Sequence, residues 1–160
     1  MKQQKALHLI ITLLCAISLM AVSAAARQKT SSGQKVYVPV YSHIYYGDRE
    51  RPFLLSSTLS IRNTDMQKKI TVITVDYHDT EGKLIKKMIT KKTVLRPLET
   101  IRFVISESDK SGGSGAKFIV EWRAEKDVTA PLIETVMIGT RSGQGISFTS
   151  RGVVIQENSR

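Results

Sequence analysis

Cysteine and histidine are nearly absent from this chain. Among its 160 residues there are three histidines and one cysteine, Cys15. Cys15 lies inside an apolar N-terminal stretch rather than at its end, so it does not fit a lipid-attachment site. Only His43 and His78 follow that stretch, and no metal-ligand spacing joins them. We therefore expect no disulfide, no thiol nucleophile, no metal and no cofactor in the folded part.

A complete set of catalytic residues is also missing. Serines are plentiful, but the sequence contains no GxSxG nucleophile motif. A hydrolase needs a nucleophile, a base and an orienting group within reach of one another. We expect no enzyme, and an uncharacterised hydrolase is the third of our three hypotheses for the function.

The N-terminus has the three parts of a secretory signal peptide. Lys2 and Lys5 precede the apolar stretch Leu7–Val22, and small residues follow it. Because Ala24 and Ala26 fit the small-x-small pattern, we predict a signal peptide over residues 1–26 with cleavage after Ala26. The apolar core of about 14 to 16 residues is shorter than the roughly 20 that span a bilayer. A retained anchor is the alternative.

The net charge indicates the kind of partner. Cleavage removes Lys2 and Lys5, so 22 basic and 14 acidic residues remain, a net charge of +8. A basic exported protein attracts anionic partners. We expect an envelope protein or an anionic glycan as partner, no nucleic acid, and no stable membrane insertion after cleavage. The periplasm is the expected location, secretion is the alternative, and the oligomeric state stays open.

The rest of the chain has the pattern of an all-β domain. Short runs rich in β-branched and aromatic residues are separated by turn residues about every ten to fifteen positions. Leu55–Asn63 alternates apolar and polar residues, and Ile70–His78 is apolar on both faces, as in a central strand. Pro39 is typical of an edge strand. We predict an immunoglobulin-like antiparallel β-sandwich of about seven to nine strands. The predicted boundaries are a flexible leader over 27–35, the sandwich over 36–155 and a polar tail over 156–160.

Two glycine-rich segments are candidate binding loops. In residues 106–115 (SESDKSGGSG), the backbone N–H groups of the glycines, Gly112 and Gly113 among them, could approach an anion, and Asp109 with the serines could equally ligate a cation. In residues 139–152, Arg141 and Arg151 flank further glycines and could hold a carboxylate or a sugar acid in a bidentate fork. A plain flexible connection and a hairpin with solvated arginines are the simpler interpretations.

A carboxylate within an apolar strand is the remaining candidate. Glu134 lies in PLIETVMIG, where a charge is costly unless it is paired. It is either exposed or bonded to Arg62, Asn63 or Arg151. Two hypotheses follow. The first is an exported, non-catalytic interaction module that contacts its partner through the glycine-rich loops, with Arg62, Arg141 and Arg151 making charge-assisted bonds. The second is a periplasmic carrier of a small ligand or ion, with Glu134 and Asn63 lining a pocket between the sheets.

Basic residues are concentrated in residues 68–96. This segment has eight basic and three acidic side chains, a net charge of +5 (8 − 3). Its lysines fall in turns and at alternate positions of predicted edge strands, where lysine blocks edge-to-edge pairing. Aromatic residues are not interleaved with them, which argues against a nucleic-acid groove. Trp122, by contrast, alternates with Phe118 and Val120 and is predicted to lie in the core.

The order of several strings resembles a known family. These strings are YVPVYSHIYYG, LLSSTLSIRNTD, VDYHDTEGKLI, RPLETIRFVI, SGGSGAKFIVEW and PLIETVMIGTRSGQGISFTSRG. Over about Val36 to Ile155 the chain resembles the bacterial family catalogued as domain of unknown function 3124. Its members look exported or lipid-anchored, and this sequence lacks the modified cysteine of the anchored ones. The resemblance supports the domain boundaries and implies no activity.

A second likeness concerns the fold alone. A strand carrying Asn63, the following strand Ile70–Tyr77, and Pro97 before the strand of Phe103 are similar to the small β-sandwich transducer of a bacterial sensory rhodopsin. This is an analogy between folds, from which no function follows.

Overall fold

A computed structural model describes residues 30–141 and 143–158 of the chain. The predicted signal peptide, the first three residues of the predicted leader, residue 142 and the last two residues of the predicted tail lie outside the described residues. None of the described residues belongs to a helix that is long and apolar enough to cross a bilayer. The regular structure of this part consists of antiparallel strands, which confirms the predicted all-β class.

The described residues form twelve strands, more than the seven to nine predicted. The additional ones are short strands of three or four residues, which leave little trace in a pattern of alternation. The strands are β1 Thr30–Pro39, β2 His43–Tyr46, β3 Arg51–Leu54, β4 Ser56–Arg62, β5 Ile70–His78, β6 Leu84–Lys87, β7 Thr93–Leu95, β8 Thr100–Ile105, β9 Lys117–Thr129, β10 Leu132–Arg141, β11 Gln144–Arg151 and β12 Val153–Glu157.

Two sheets and one hairpin contain these strands. The first sheet has the order β12-β1-β9-β5-β6, and β7 also pairs with β5. The second sheet has the order β11-β10-β4-β8, and β2 pairs with β3 in a separate hairpin. Buried side chains of both sheets belong to one hydrophobic core, for example Val38 and Val120 from the first sheet and Leu59 and Met137 from the second.

A hydrogen bond joins the two sheets within that core. The hydroxyl of Thr135, on β10, donates to the backbone oxygen of Pro39, on β1, at 2.6 Å. Thr135 is fully buried, as are its neighbours Ile133 and Met137 on the same side of β10. Alternate residues of β10 therefore point toward the first sheet, and the residues between them point away from it.

The predicted flexible leader is wrong for residues 30–35, which belong to β1. The strand pairs with β9 over its whole length and with β12 from Gln34 to Tyr37. Gln34 is buried because it lies between these two neighbours. The assignment of Pro39 to an edge strand is also wrong. Pro39 is the last residue of β1 and lies beyond the part paired with β12, so the missing N–H costs no ladder bond there.

The predicted polar tail is wrong at its start, since Gln156 and Glu157 belong to β12 and Asn158 N donates to the Gly33 carbonyl at 2.9 Å. Gly152 alone separates β11 of the second sheet from β12 of the first. A Cβ atom at Gly152 would lie 2.6 Å from Val36 Cγ1. A glycine therefore allows the chain to change sheets here.

A bulge in β5 changes the predicted faces of that strand. Strict alternation along the strand would place Ile73 and Val75 on one face and Ile70 and Val72 on the other. The pairing with β9 instead shifts register between Val72 and Thr74, so one extra residue is accommodated there. Ile70, Val72 and Val75 are consequently all buried, while Ile73 is only partly buried.

The bulge predicts a difference between two isoleucines of the same strand. Ile70→Ala should lower the free energy of unfolding by about 2 to 5 kcal/mol, the usual cost of truncating a fully buried isoleucine. Ile73→Ala should cost less than half as much, because Ile73 is partly exposed beside the extra residue. Urea unfolding followed by Trp122 fluorescence measures both values. Equal losses would contradict the bulge.

Candidate functional site

Glu134 lies on the outer face of the second sheet. Because Thr135 points across the core to Pro39, the alternation of the strand directs Glu134 the other way. Its carboxylate Oε1 lies 3.6 Å from the Nε atom of Arg62, on the neighbouring strand β4. Of the partners predicted for Glu134, the structure therefore selects Arg62, and the pair lies at the surface rather than in a pocket.

The sheet register places three arginines around this carboxylate. Glu134 lies opposite Arg151 of β11 on one side and opposite Ser60 of β4 on the other. Ser60 in turn lies opposite Arg102 of β8. Arg151, Glu134, Ser60 and Arg102 thus form one row across the four strands, and Arg62 lies two residues along β4. We call Arg62, Arg102 and Arg151, with Glu134 between them, the arginine face.

The arginine face has an excess of positive charge. Three guanidinium groups and one carboxylate give a net charge of +2 (3 − 1). Arg102 and Arg151 are exposed, and neither forms an ion pair with another described residue. With a strand spacing of about 4.8 Å, the Cα atoms of Arg102 and Arg151 are roughly 14 Å apart. The face offers two separate binding forks for anions.

Sequence reasoning selected Arg62, Glu134 and Arg151 but not Arg102. The alternation of residues 101–105 does place Arg102 opposite the buried side of its strand. The alternation does not show that Ser60 pairs with Arg102. This pairing brings Arg102 of β8 into the same row as Glu134. Register between strands that are distant in sequence has no local signal.

Arg141 lies far from this site. It pairs with Gln144 at the turn of the β10–β11 hairpin, whereas Arg151 pairs with Glu134 seven residues further along. At about 3.3 Å per residue the two arginines are separated by roughly 23 Å. The hypothesis that Arg141 and Arg151 hold one ligand around the glycines between them is therefore wrong.

The first glycine-rich segment is closed against the domain. Gly112 is buried, and a Cβ atom there would lie 2.0 Å from the Tyr77 hydroxyl. Thr80 Oγ1 donates to the Gly112 carbonyl at 3.1 Å, and Ser42 N donates to the Gly113 carbonyl at 3.0 Å. The Gly113 N–H, one of the backbone groups predicted to approach an anion, donates to the Lys110 carbonyl at 3.3 Å. Gly112 and Gly113 therefore hold the loop onto the fold.

Asp109 also has a local role. Its Oδ1 atom accepts hydrogen bonds from the backbone N–H of Ser111 at 3.0 Å and from the Ser111 hydroxyl at 2.5 Å. Burial raises the pKa of Tyr77, and the negative charge of Asp109 adds to that rise, against the hydrogen bond from Ser42. The tyrosine is neutral at physiological pH and shares a 3.1 Å hydrogen bond with Ser42 Oγ.

The closed loop predicts that alanine destabilises the domain at Gly112 but not at Gly145. Gly112→Ala should destabilise the domain by about 1 to 3 kcal/mol, since the added methyl group collides with Tyr77. Gly145→Ala is the matched control, because nothing lies within 4 Å of its added Cβ and neither glycine has a positive φ. Urea unfolding compares the two variants. If both glycines tolerate alanine equally, the loop is open rather than packed on Tyr77.

Asn63 does not line a pocket with Glu134, as the carrier hypothesis required. It is buried, and its side-chain Nδ2 donates to the backbone oxygens of Lys68, Leu95 and Arg96 at 2.8 to 3.2 Å. These three carbonyls share the two protons of Nδ2, and Asn63 Oδ1 accepts a hydrogen bond from the Asp65 backbone N–H at 3.1 Å, so both ends of the amide group have partners. Asn63 therefore ties the loop after β4 to the loop after β7.

Asp65 stabilises the same loop. Its carboxylate accepts backbone hydrogen bonds from Gln67 at 2.9 Å, Lys68 at 2.8 Å and Thr129 at 3.0 Å. These hydrogen bonds hold the pKa of Asp65 below its ordinary value. The bond from Gln67 has the largest effect, and the bond from Thr129 has the next largest. The folded state thus prefers the ionised carboxylate. Its contribution to stability is complete above the ordinary pKa of 3.8 and is lost as the pH falls through the lower pKa of the folded protein.

This linkage predicts a pH effect at Asp65. Between about pH 5 and about pH 3 the unmodified domain should lose more stability than Asp65→Asn, which keeps an acceptor oxygen but has no charge to titrate. The other groups with a lowered pKa, such as Glu99, are the same in both proteins. The urea midpoint measured against pH tests the difference. Parallel curves would show that the Asp65 charge does not stabilise the fold.

The two histidines have separate surroundings. His43 Nε2 shares a 3.1 Å hydrogen bond with the Tyr45 hydroxyl, and His78 Nδ1 lies 2.9 Å from the Gly82 carbonyl. Among residues 30–141 and 143–158, no three His, Cys, Asp or Glu side chains are grouped as metal ligands would be. Trp122 is fully buried, which confirms its place in the core, and its indole N–H has no hydrogen-bond partner there.

A cleft lies where β1 and β12 of the first sheet meet the start of β10 and the end of β11 in the second sheet. It has a volume of about 360 Å³ and is lined by residues that include Val36, Ile133, Arg151 and Gly152. Neither Glu134 nor Asn63 belongs to this lining. The cleft is therefore not the pocket that the carrier hypothesis describes.

The fold and the site together define an antiparallel all-β domain whose second sheet has a cationic outer face. The chain belongs to the family described as "Protein of unknown function (DUF3124)", whose model matches residues 33–155. This confirms the resemblance drawn from its sequence motifs. No curated protein matches the chain.

One solved structure has a distant likeness to this fold. It is described as "Crystal Structure of Thermotoga maritima 1070" and is 8% identical to this chain, with a TM-score of 0.47. The match covers 78% of this chain and 97% of that chain.

Proposed function

We propose that this protein is an exported, non-catalytic interaction module of the bacterial envelope, and that its arginine face binds an anionic protein segment or glycan. The observation that carries the proposal is the row of Arg151, Glu134, Ser60 and Arg102 across the second sheet. Guanidinium groups bind carboxylates and sulfates in bidentate forks. The exposed forks of Arg102 and Arg151 are available for such groups.

The spacing of the arginines favours an extended partner. A small anion reaches one guanidinium group, whereas a chain of acidic groups reaches both Arg102 and Arg151 across roughly 14 Å. Glu134 and Arg62 already pair with each other, so Glu134 keeps Arg62 in place. Its negative charge also repels anionic groups of a partner that is not aligned with Arg102 and Arg151. The partner in this proposal is a uronate-rich glycan or an acidic peptide segment.

Export is part of the proposal. The signal-peptide pattern of residues 1–26 supports it, with cleavage after Ala26 and release into the periplasm. All described strands and core residues follow residue 29, so a chain beginning at Arg27 keeps every one of them. Mass spectrometry of protein recovered from the envelope fraction should show an N-terminus at Arg27. A chain that keeps Met1 and stays in the cytosol would contradict export.

The arrangement of the two sheets as an immunoglobulin-like sandwich is proposed as well. The shared core and the bond from Thr135 to Pro39 support the packing of one sheet on the other. Such sandwiches commonly present a flat outer face or loops to a partner. An outer face that carries the binding groups agrees with a recognition role rather than with transport of a ligand inside the domain.

Binding of a uronate polymer tests the proposed function. Polygalacturonate should bind residues 27–160 with an affinity that falls as salt is added. Arg102→Gln and Arg151→Gln should each weaken binding by about two- to five-fold, as expected for exposed charge pairs. The double variant should weaken it by about ten-fold, since the two forks are well separated. Isothermal titration calorimetry gives these values, and poly-glutamate tests the acidic peptide in the same way.

The matched control is Arg49→Gln. Arg49 is exposed between β2 and β3 and is not part of the arginine face, and its replacement removes the same charge. It should leave the affinity nearly unchanged. If Arg49→Gln weakens binding as much as Arg151→Gln, or if neither polymer binds, the arginine face is not the recognition site.

A further inference from the structure

A second cationic surface lies at the free edge of the first sheet. Residues 83–94 contain five lysines and no acidic residue, and three apolar side chains are exposed among them. We call this surface the lysine edge. It consists of Lys83, Leu84, Ile85, Lys86, Lys87, Lys91, Lys92 and Val94.

The segment runs along one side of β5. The strand β6 pairs with Asp76–His78, and β7 pairs with Ile70–Val72 on the same side. Between them Met88 N donates to the Val75 carbonyl at 2.8 Å. The far side of this segment has no strand partner among the described residues. The lysine edge is therefore the outer border of the sheet.

Packing fixes the segment in place while its charges stay outside. Met88 and Ile89 pack against the hydrophobic core. All four residues of β6 are exposed, and the exposed fractions of the apolar side chains are 42% for Leu84, 37% for Ile85 and 52% for Val94. The result is a packed edge whose ammonium groups and apolar side chains are both exposed to solvent.

The lysine edge keeps a net positive charge. None of the five forms an ion pair with a described residue. Three carboxylates lie nearby. Asp76 is opposite Lys87, Asp79 accepts a hydrogen bond from the Lys83 backbone N–H at 2.7 Å, and Glu81 lies in the turn before β6. The edge and its neighbours together keep a net charge of +2 (5 − 3).

We propose that the lysine edge binds peripherally to the surface of an anionic phospholipid bilayer. Clustered lysines are attracted to anionic headgroups, and neighbouring apolar side chains gain by entering the boundary of the acyl chains. Leu84, Ile85 and Val94 distinguish this partner from a polyanionic glycan, which would engage the ammonium groups alone. The contact is at the surface and needs no inserted helix. It leaves the arginine face, on the other sheet, open to its own partner.

Vesicle co-sedimentation tests the proposal with residues 27–160. The domain should bind vesicles of mixed phosphatidylglycerol and phosphatidylcholine but not vesicles of phosphatidylcholine alone. A lysine near an anionic bilayer is worth about 1 kcal/mol, so K86Q with K87Q should weaken binding roughly 30-fold. L84S with I85S, which keeps all charges, should also weaken it, by at least several-fold.

The matched control removes two lysines elsewhere, K110Q with K126Q. Both are exposed and lie outside the lysine edge, so vesicle binding should fall far less than for K86Q with K87Q. Circular dichroism confirms that each variant is folded.

Three outcomes would overturn the proposal. The first is equal weakening by the control and by K86Q with K87Q. The second is unchanged binding of L84S with I85S, which would indicate a purely ionic contact. The third is the absence of vesicle binding by the unmodified domain. If K86Q with K87Q then self-associates, the lysines serve only to block strand pairing.

Discussion

The core between the two sheets imposes one constraint on most of the molecule, because each sheet has to bury one face against the other. Thr135 shows this most directly, since its hydroxyl reaches the Pro39 carbonyl of the opposite sheet. Successive residues of a strand point in opposite directions. Once Thr135 is fixed inside, Glu134 has to face outward, and the register carries that choice across three strand pairs to Arg151 and Arg102. The charged face follows from the packing of the core.

The same constraint explains which parts of the fold could be predicted from the sequence. The clean alternation from Leu55 to Ile61 and around Trp122 matched the buried positions of β4 and β9, because local pattern suffices where a strand is regular. It failed at β5, since the bulge near Ile73 arises from pairing with β9, a partner distant in sequence. It also failed at residues 30–35, whose serine and glycine content hides a strand that pairs with β9 and, from Gln34 onward, with β12 as well.

The same distinction between local pattern and long-range pairing applies to the candidate site. Arg62, Glu134 and Arg151 could be selected because a carboxylate in an apolar strand calls for a partner. Their arrangement could not be predicted. Alternation gives only the face of Arg102, and the register of β4 with β8 is what brings it into the row. For the glycine-rich loops composition was misleading. Gly112 is a glycine because Tyr77 leaves no room for a side chain, which is a packing requirement and not one of ligand binding.

The two cationic surfaces differ in chemistry as well as in position. Arginine presents a planar fork that fits a carboxylate, and the forks of Arg102 and Arg151 stand on a sheet face whose spacing is fixed by hydrogen bonds. Lysine is a compact charge on a flexible stem, suited to a diffuse surface of headgroups, and at the lysine edge it stands beside exposed Leu84 and Ile85. When a domain contacts a bilayer through the edge of a sheet, the faces of that sheet stand roughly perpendicular to the membrane surface. Membrane attachment through β6 would therefore present the arginine face to partners lying along the bilayer.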